Sequence, residues 1–241
     1  MISVVSEREL YSGKLIKYNN LSQLNLLPVE IPPPYFRFNM DSPSGFVLNG
    51  GTISQWNDIS GNGYNLSQNT VGLQPTLNIS GINGYKSIIF NENYLRTSLF
   101  SLGNPSTFIY VLKPLSLTSY NVYMDGISFQ SLAFLGMSGN AFDAYTNGSF
   151  WGCFIPAVLN NWCIVIQSSD TSLGINYIDN GTTITYTNNF TKNMGGITLG
   201  ATGNANQNGN FEIVELIGYN YSLSSNDSLL IRNKLKSKYN I

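Results

Sequence analysis

Residues 143–151 read DAYTNGSFW and carry the side chains in this chain that best suit a sugar. Tyr145 and Trp151 offer ring faces for the apolar side of a pyranose. Asp143 and Asn147 offer acceptors and donors for its hydroxyls. The Asn147-Gly148 pair is a turn signal that sets both aromatics around one loop. The same residues have a plainer reading, in which Phe150 and Trp151 begin a strand and face the core. Buried aromatics outnumber binding ones in most domains. Asp143, Tyr145, Asn147 and Trp151 are the candidate ligand-binding residues.

Acid–base chemistry has less to work with. The chain has no histidine. That removes imidazole as a general base and as a metal ligand. The nearest approach to a carboxylate pair is Glu212 and Glu215. Cleaving a glycosidic bond takes two carboxylates flanking it. On a regular strand a spacing of three puts these two on opposite faces. No catalytic residue is expected, and no enzymatic activity. Asp58, Asp125, Asp143, Asp170 and Asp179 are scattered. Calcium takes six to eight oxygens, several of them carboxylate. No metal and no cofactor are expected. The glycine-rich run at 195–209 lacks the Lys-Ser/Thr ending of a phosphate loop and a helix after it, so it reads as a flexible rim loop.

Charged residues make up only 10% of the 241, against about 25% in ordinary soluble domains. Asn, Ser, Thr, Gln and Gly must build the polar surface instead. The net charge of −1 gives no long-range attraction for nucleic acid or for acidic membranes. No apolar run approaches the ~20 residues of a membrane span. Residues 1–10 carry neither a basic nor an apolar leader region, so synthesis in a host cytoplasm without a signal peptide is expected. Cys153 and Cys163 then read as two reduced thiols, although a bridge between adjacent strands is conceivable.

The elements that position these residues are strands. Residues 107–113 (TFIYVLK) and 162–167 (WCIVIQ) are β-branched, aromatic and apolar. Residues 173–178 and 182–187 flank Asp179-Asn180-Gly181 as a hairpin. Ser60-Gly61-Asn62-Gly63 is a tight turn beside Trp56, whose ring can pin the loop to a core. One helix is expected at the end. Ser224 and Asp227 open it as a capping box, and Ile231, Leu235 and Tyr239 share one face. Its Arg232, Lys234, Lys236 and Lys238 read as a solvated face. Residues 1–34 differ from the rest and end in Pro32-Pro33-Pro34, a stiff exit. They form either an arm folded back on the domain or an anchor for a partner subunit.

Four stretches carry a resemblance. WNDISGNG at 56–63, then QP at 74–75 and NGYKSIIF at 83–90, resemble the opening of laminin-G-like, concanavalin-A-like jelly-roll domains. INYIDNG at 175–181 resembles their inner hairpin, GITLG at 196–200 a later strand, and FEIVELIGYNYSLS at 211–224 their closing strand and helix. Such domains occur widely in bacteriophage virion proteins and bacterial surface proteins. The resemblance implies an all-β, two-sheet antiparallel jelly-roll over residues 35–241 behind the arm at 1–34. It also gives Glu215 a structural hydrogen-bonding role. The function it implies is a non-enzymatic phage virion protein that binds host-surface glycan from a tail or fibre. The alternative is a capsid- or tail-decorating protein with an assembly role and no glycan ligand. The expected partners are other virion subunits, reached through the arm, in a homo-oligomer or larger assembly.

Overall fold

The computed structural model describes residues 33–118, 120–128, 131–137, 140–146, 149–150, 155–169, 174–178, 183–186 and 193–241. The arm expected at residues 1–34 lies almost wholly outside these, as do Asn147, Trp151, Cys153 and the turn at 179–181. In chain order the strands are β1 (Phe36–Asn39), β2 (Phe46–Asn49), β3 (Thr52–Trp56), β4 (Leu66–Ser67), β5 (Thr76–Ile82) and β6 (Tyr85–Asn91). Then come β7 (Leu95–Arg96), β8 (Ser106–Pro114), β9 (Asn121–Gly126), β10 (Ala133–Met137), β11 (Ala141–Thr146) and β12 (Ser149–Phe150). The last six are β13 (Ile155–Pro156), β14 (Cys163–Ser169), β15 (Gly174–Ile178), β16 (Thr183–Tyr186), β17 (Ile197–Leu199) and β18 (Asn210–Tyr219), and the helix α1 spans Ser225–Tyr239.

The ten-residue β18 is the axis of the fold. It pairs with β8 along one edge and with β6 and then β1 along the other. From β8 the sheet runs on through β14, β15 and β16. From β6 it runs through β5 and β3 to the edge strand β2. The second sheet is β4, β7, β17, β9, β10 and β11, with β12 and β13 beside β11. Every one of these pairings is antiparallel. The two halves are hydrogen-bonded to each other at β3–β4 (Gln55↔Ser67), so one curled sheet folds over on itself. This is the expected all-β jelly-roll sandwich.

Aromatic residues fill the space between the halves. Phe211 of β18 stacks on Phe90 of β6 at 4.8 Å and meets Tyr123 of β9 edge-on at 4.9 Å. Tyr110 of β8 stacks on Phe134 of β10 at 4.5 Å. Burying such rings supplies most of the driving force for closing a sandwich. Trp56 is fully buried against Phe38, as the pinning of the neighbouring turn requires. That turn is built on Asp58, whose carboxylate accepts from the backbone of Arg37, Ser60 and Tyr64. Gly61 and Gly63 both take positive φ, +96° and +78°.

The helix lies on the outer face of the first sheet. Ser224 caps it, its Oγ accepting from Asp227 N at 3.1 Å. Ile231, Leu235 and Tyr239 are its buried face, as the spacing predicts. Three expectations change. The run at 195–209 is not all rim loop. Its residues 197–199 form the buried β17, within the strand that the resemblance places at 196–200, and Ala201 bridges Asn208. Lys238 is not simply solvated but reaches a buried carboxylate under the helix. Glu212 and Glu215 are not on opposite faces, because β18 carries a bulge between Ile213 and Glu215. The bulge adds one residue, so Glu212 and Glu215 oppose Lys113 and Val111, two apart on β8 and on one face.

Candidate functional site

Two features compete for the role of a binding site. The first is the sequence-predicted loop. Asp143 lies on β11 and is fully buried, its Oδ1 accepting from Ala144 N at 2.8 Å. Tyr145 is half-buried and packs on Val122, Ala133 and Leu135. Phe142 and Ala144, alternating with them, point the other way into the main core. The period-2 pleat therefore puts Asp143 and Tyr145 together on the outer face of the second sheet. Asn147 and Trp151 lie outside the described residues, so the set of four is not seen assembled.

The second feature is a groove of about 370 Å³ lined by residues 40–43, 46 and 83–86. A smaller one of about 250 Å³ adjoins it across residues 41–43, lined by Arg37, Asn39, Ile59 and Lys238. Local sequence builds both walls. Asn83-Gly84 is a two-residue hairpin between β5 and β6, closed by the pair Ile82↔Tyr85. Both residues take positive φ, +45° and +88°, the geometry that makes Asn-Gly the favoured short hairpin. The Asn83 amide then donates to the carbonyls of Tyr239 and Asn240, satisfying the open end of α1. The opposite wall is the β1–β2 loop. Asn39 Oδ1 accepts from Asp41 N at 2.6 Å, and Gly45 N donates to Ser42 O at 2.9 Å. A Cβ on Gly45 would lie 2.6 Å from Asn39 O, so the tight loop needs glycine there.

Beneath the smaller groove sits the strongest electrostatic cluster of the domain. Glu215 is fully buried, and its Oε1 takes Arg37 Nη2 at 2.7 Å and Nε at 2.8 Å. Its Oε2 takes the Tyr239 hydroxyl at 2.6 Å and Lys238 Nζ at 3.1 Å. Burial alone raises its pKa, but Arg37, Lys238 and the donated hydrogen bonds outweigh it and hold the carboxyl below its usual range. Glu212 makes an ion pair with Lys113 and accepts hydrogen bonds from Ser87 and, at 2.7 Å, from Asn78. Both carboxylates are structural fastenings. Neither lines the two grooves. Among the described residues no three acidic or cysteine side chains converge to hold a metal ion. Cys163 donates its S–H to Leu112 O at 3.5 Å.

A third surface feature is aromatic. Tyr35, Tyr64 and Phe100 cluster where β1 begins, with Tyr64 stacked on Phe100 at 4.2 Å. The hydrogen bond between the Tyr35 and Tyr64 hydroxyls, 3.0 Å apart, together with partial burial, pushes the Tyr35 phenol up to about 12. Tyr35 meets Phe100 edge-on at 5.9 Å, and the three rings pack against the main core.

No protein-family model matches the chain, and no curated protein matches it by sequence. Solved structures do match, at identities that show the fold alone. Domain 4 of AbnA, an extracellular arabinanase of Geobacillus stearothermophilus solved with arabinotriose, aligns at TM-score 0.57 and 17% identity over 81% of this chain and 95% of that one. An arabinofuranosidase complexed with arabinofuranosyl-α-1,2-xylobiose aligns at TM-score 0.62 and 15% identity, over 78% of this chain and 51% of that one. The ligand-binding domain of botulinum neurotoxin serotype D, in complex with N-acetylneuraminic acid, aligns at TM-score 0.56 and 11% identity, over 83% of this chain and 50% of that one. The chain thus spans about half the length of the last two. A β-sandwich of the jelly-roll kind is common to all of them.

Proposed function

We propose that this chain is a non-enzymatic glycan-recognition module. The observation that carries the reading is the groove beside residues 41–43, lined by two aromatic side chains and several polar groups. Its volume is within the range of small-ligand sites. Glycan ligands in structures of the same fold support the choice of ligand class. The absence of catalysis is part of the proposal. It is supported by the engagement of Glu215 with Arg37 and Lys238, and of Glu212 with Lys113, in ion pairs. Display on a bacteriophage virion is the remaining part, supported by the sequence resemblance at 56–90 and 211–224.

Ligand-dependent stabilisation across a glycan panel tests the reading. A ligand at 100 Kd adds about 2.7 kcal/mol of stability. A rise in melting temperature with one glycan class, and no release of reducing sugar, is the expected result. No stabilisation by any glycan, with binding to assembled particles instead, would favour a decorating role. Proteomics of purified virions tests the location.

A further inference from the structure

The larger groove is not chemically neutral. Lys86, on β6, points its Nζ over the Phe46 ring at 5.4 Å. Among the described residues it makes no ion pair. Across the groove, Asp41 is drawn instead toward Lys238, with Oδ2 and Nζ 3.9 Å apart. Lys238 in turn shares Glu215 with Arg37. Arg37, Lys86 and Lys238 line the two adjoining grooves, with Asp41 beside them and Glu215 beneath, an excess of one positive charge. This occurs in a chain whose net charge is −1 and whose Lys and Arg number only 12.

The remaining lining is suited to hydroxyls. Ser42 Oγ and the Tyr85 hydroxyl have no hydrogen-bond partner among the described residues and open to solvent. Asn83 commits its amide nitrogen to the helix end, which leaves Oδ1 as an acceptor at the groove. Phe46 and Tyr85, both half-buried, give the groove its apolar walls, and Tyr85 is steadied by its edge contact with Tyr239 at 5.0 Å. We propose that this groove takes a carboxylated sugar, a hexuronic or sialic acid residue, with Lys86 as the partner of the carboxylate. The inference rests on the glycan-recognition reading and narrows it to one charge class and one site. The cation–π contact holds the ammonium at the mouth of the groove. A carboxylate that reaches it exchanges water for a charge-assisted hydrogen bond.

Titration calorimetry with matched probes tests this. Trigalacturonic acid is compared with its methyl ester, and 3′-sialyllactose with lactose. Each pair keeps most of its shape and differs in charge. The acid of at least one pair is expected to bind about tenfold or more tightly than its neutral counterpart, as a hydrogen bond to a charged group implies. The preference should shrink as salt is raised. Lys86→Gln should erase it, whereas Lys234→Gln on the exposed side of α1 should not. Lys86 is exposed, so both variants should melt like the parent. Equal binding of acids and neutral counterparts, or an unchanged preference in Lys86→Gln, overturns the inference and leaves glycan recognition standing. If no sugar in these pairs or in the wider panel binds, the broader reading falls, and this one with it.

Discussion

Replacing Glu215 by Gln should be among the most destabilising conservative changes in this domain. The carboxylate is fully buried and receives two contacts from Arg37, one from Lys238 and one from Tyr239. Removing one partner of a buried ion pair typically costs 3–5 kcal/mol. Gln keeps the volume and one oxygen acceptor. Arg37 and Lys238 side chains are 19% and 17% exposed, so water recovers part of their charge. The low end, about 3 kcal/mol, is the expected loss. For a chain of this length that is a fall of roughly 6–12 °C in melting temperature. The pH dependence gives an independent check. The folded pKa of Glu215 lies below the unfolded value near 4.5, so the unfolded state takes up the proton first as pH falls. The stabilisation is therefore complete above about pH 4.5 and is lost as pH drops through the folded pKa. Glu215→Gln should lose one proton's worth of that acid slope, about 1.4 kcal/mol per pH unit at its steepest. Melting curves by circular dichroism from pH 3 to 8 measure both effects. A variant that melts within 2 °C of the parent at pH 7, with the same acid slope, would refute the reasoning.

Substitutions at four further positions probe local structure by urea denaturation. Gly61→Ala and Gly63→Ala should each cost about 1 kcal/mol from backbone strain alone, since a Cβ at either meets nothing within 4 Å; parent-like midpoints for both would show the turn is not constrained. Gly218→Ala should cost more, about 1–3 kcal/mol, because its Cβ would lie 2.0 Å from the Phe36 ring in the packed core. Ser224→Ala should cost about 1 kcal/mol by uncapping α1, with Ser224→Asp restoring most of it.

Local signals in the chain are legible where one short stretch suffices. Ser60–Gly63 and the Ser224–Asp227 cap each fix their geometry within a few residues and form as read, and the Asn83-Gly84 hairpin is equally local. The aromatic strands around residues 107–113 and 162–167 form as read too, because burial on both faces selects apolar runs. What stayed hidden depends on distant partners. The bulge at residues 213–215 has no marker of its own in FEIVELIGY, yet it reverses which face Glu215 shares with Glu212. Lys238 looks like any lysine at a helix end until β18 places Glu215 beneath it. The groove brings residues 40–46 against 83–86, with Lys238 behind, and no pattern within either stretch announces the meeting. The candidate loop at 143–151 drew attention for the opposite reason. Its residue types suit a sugar locally, but Asp143 is buried in the fold.

The sparse charge of the chain gives the few charges it has unusual leverage. With 10% charged residues and a net charge of −1, no extended field steers a ligand toward the surface. Recognition must then rest on short-range contacts, and the position of single ionic groups decides what a groove prefers. Several of the described acidic and basic side chains are spent in fastening. Lys113 holds Glu212, while Arg37 and Lys238 hold Glu215. Lys238 also faces Asp41 at the rim, so the same lysine that locks α1 to β18 lies 3.9 Å from the carboxylate that lines the larger groove. That leaves Lys86 unopposed at its mouth. The packing of the helix and the charge preference of the groove are thus set by one chain of pairings. Loosening the first, as in Glu215→Gln, should free Lys238 to hold Asp41 more closely and leave Lys86 still unpaired. Selectivity for a carboxylate should therefore outlast a loss of stability, and the two properties should separate in that variant.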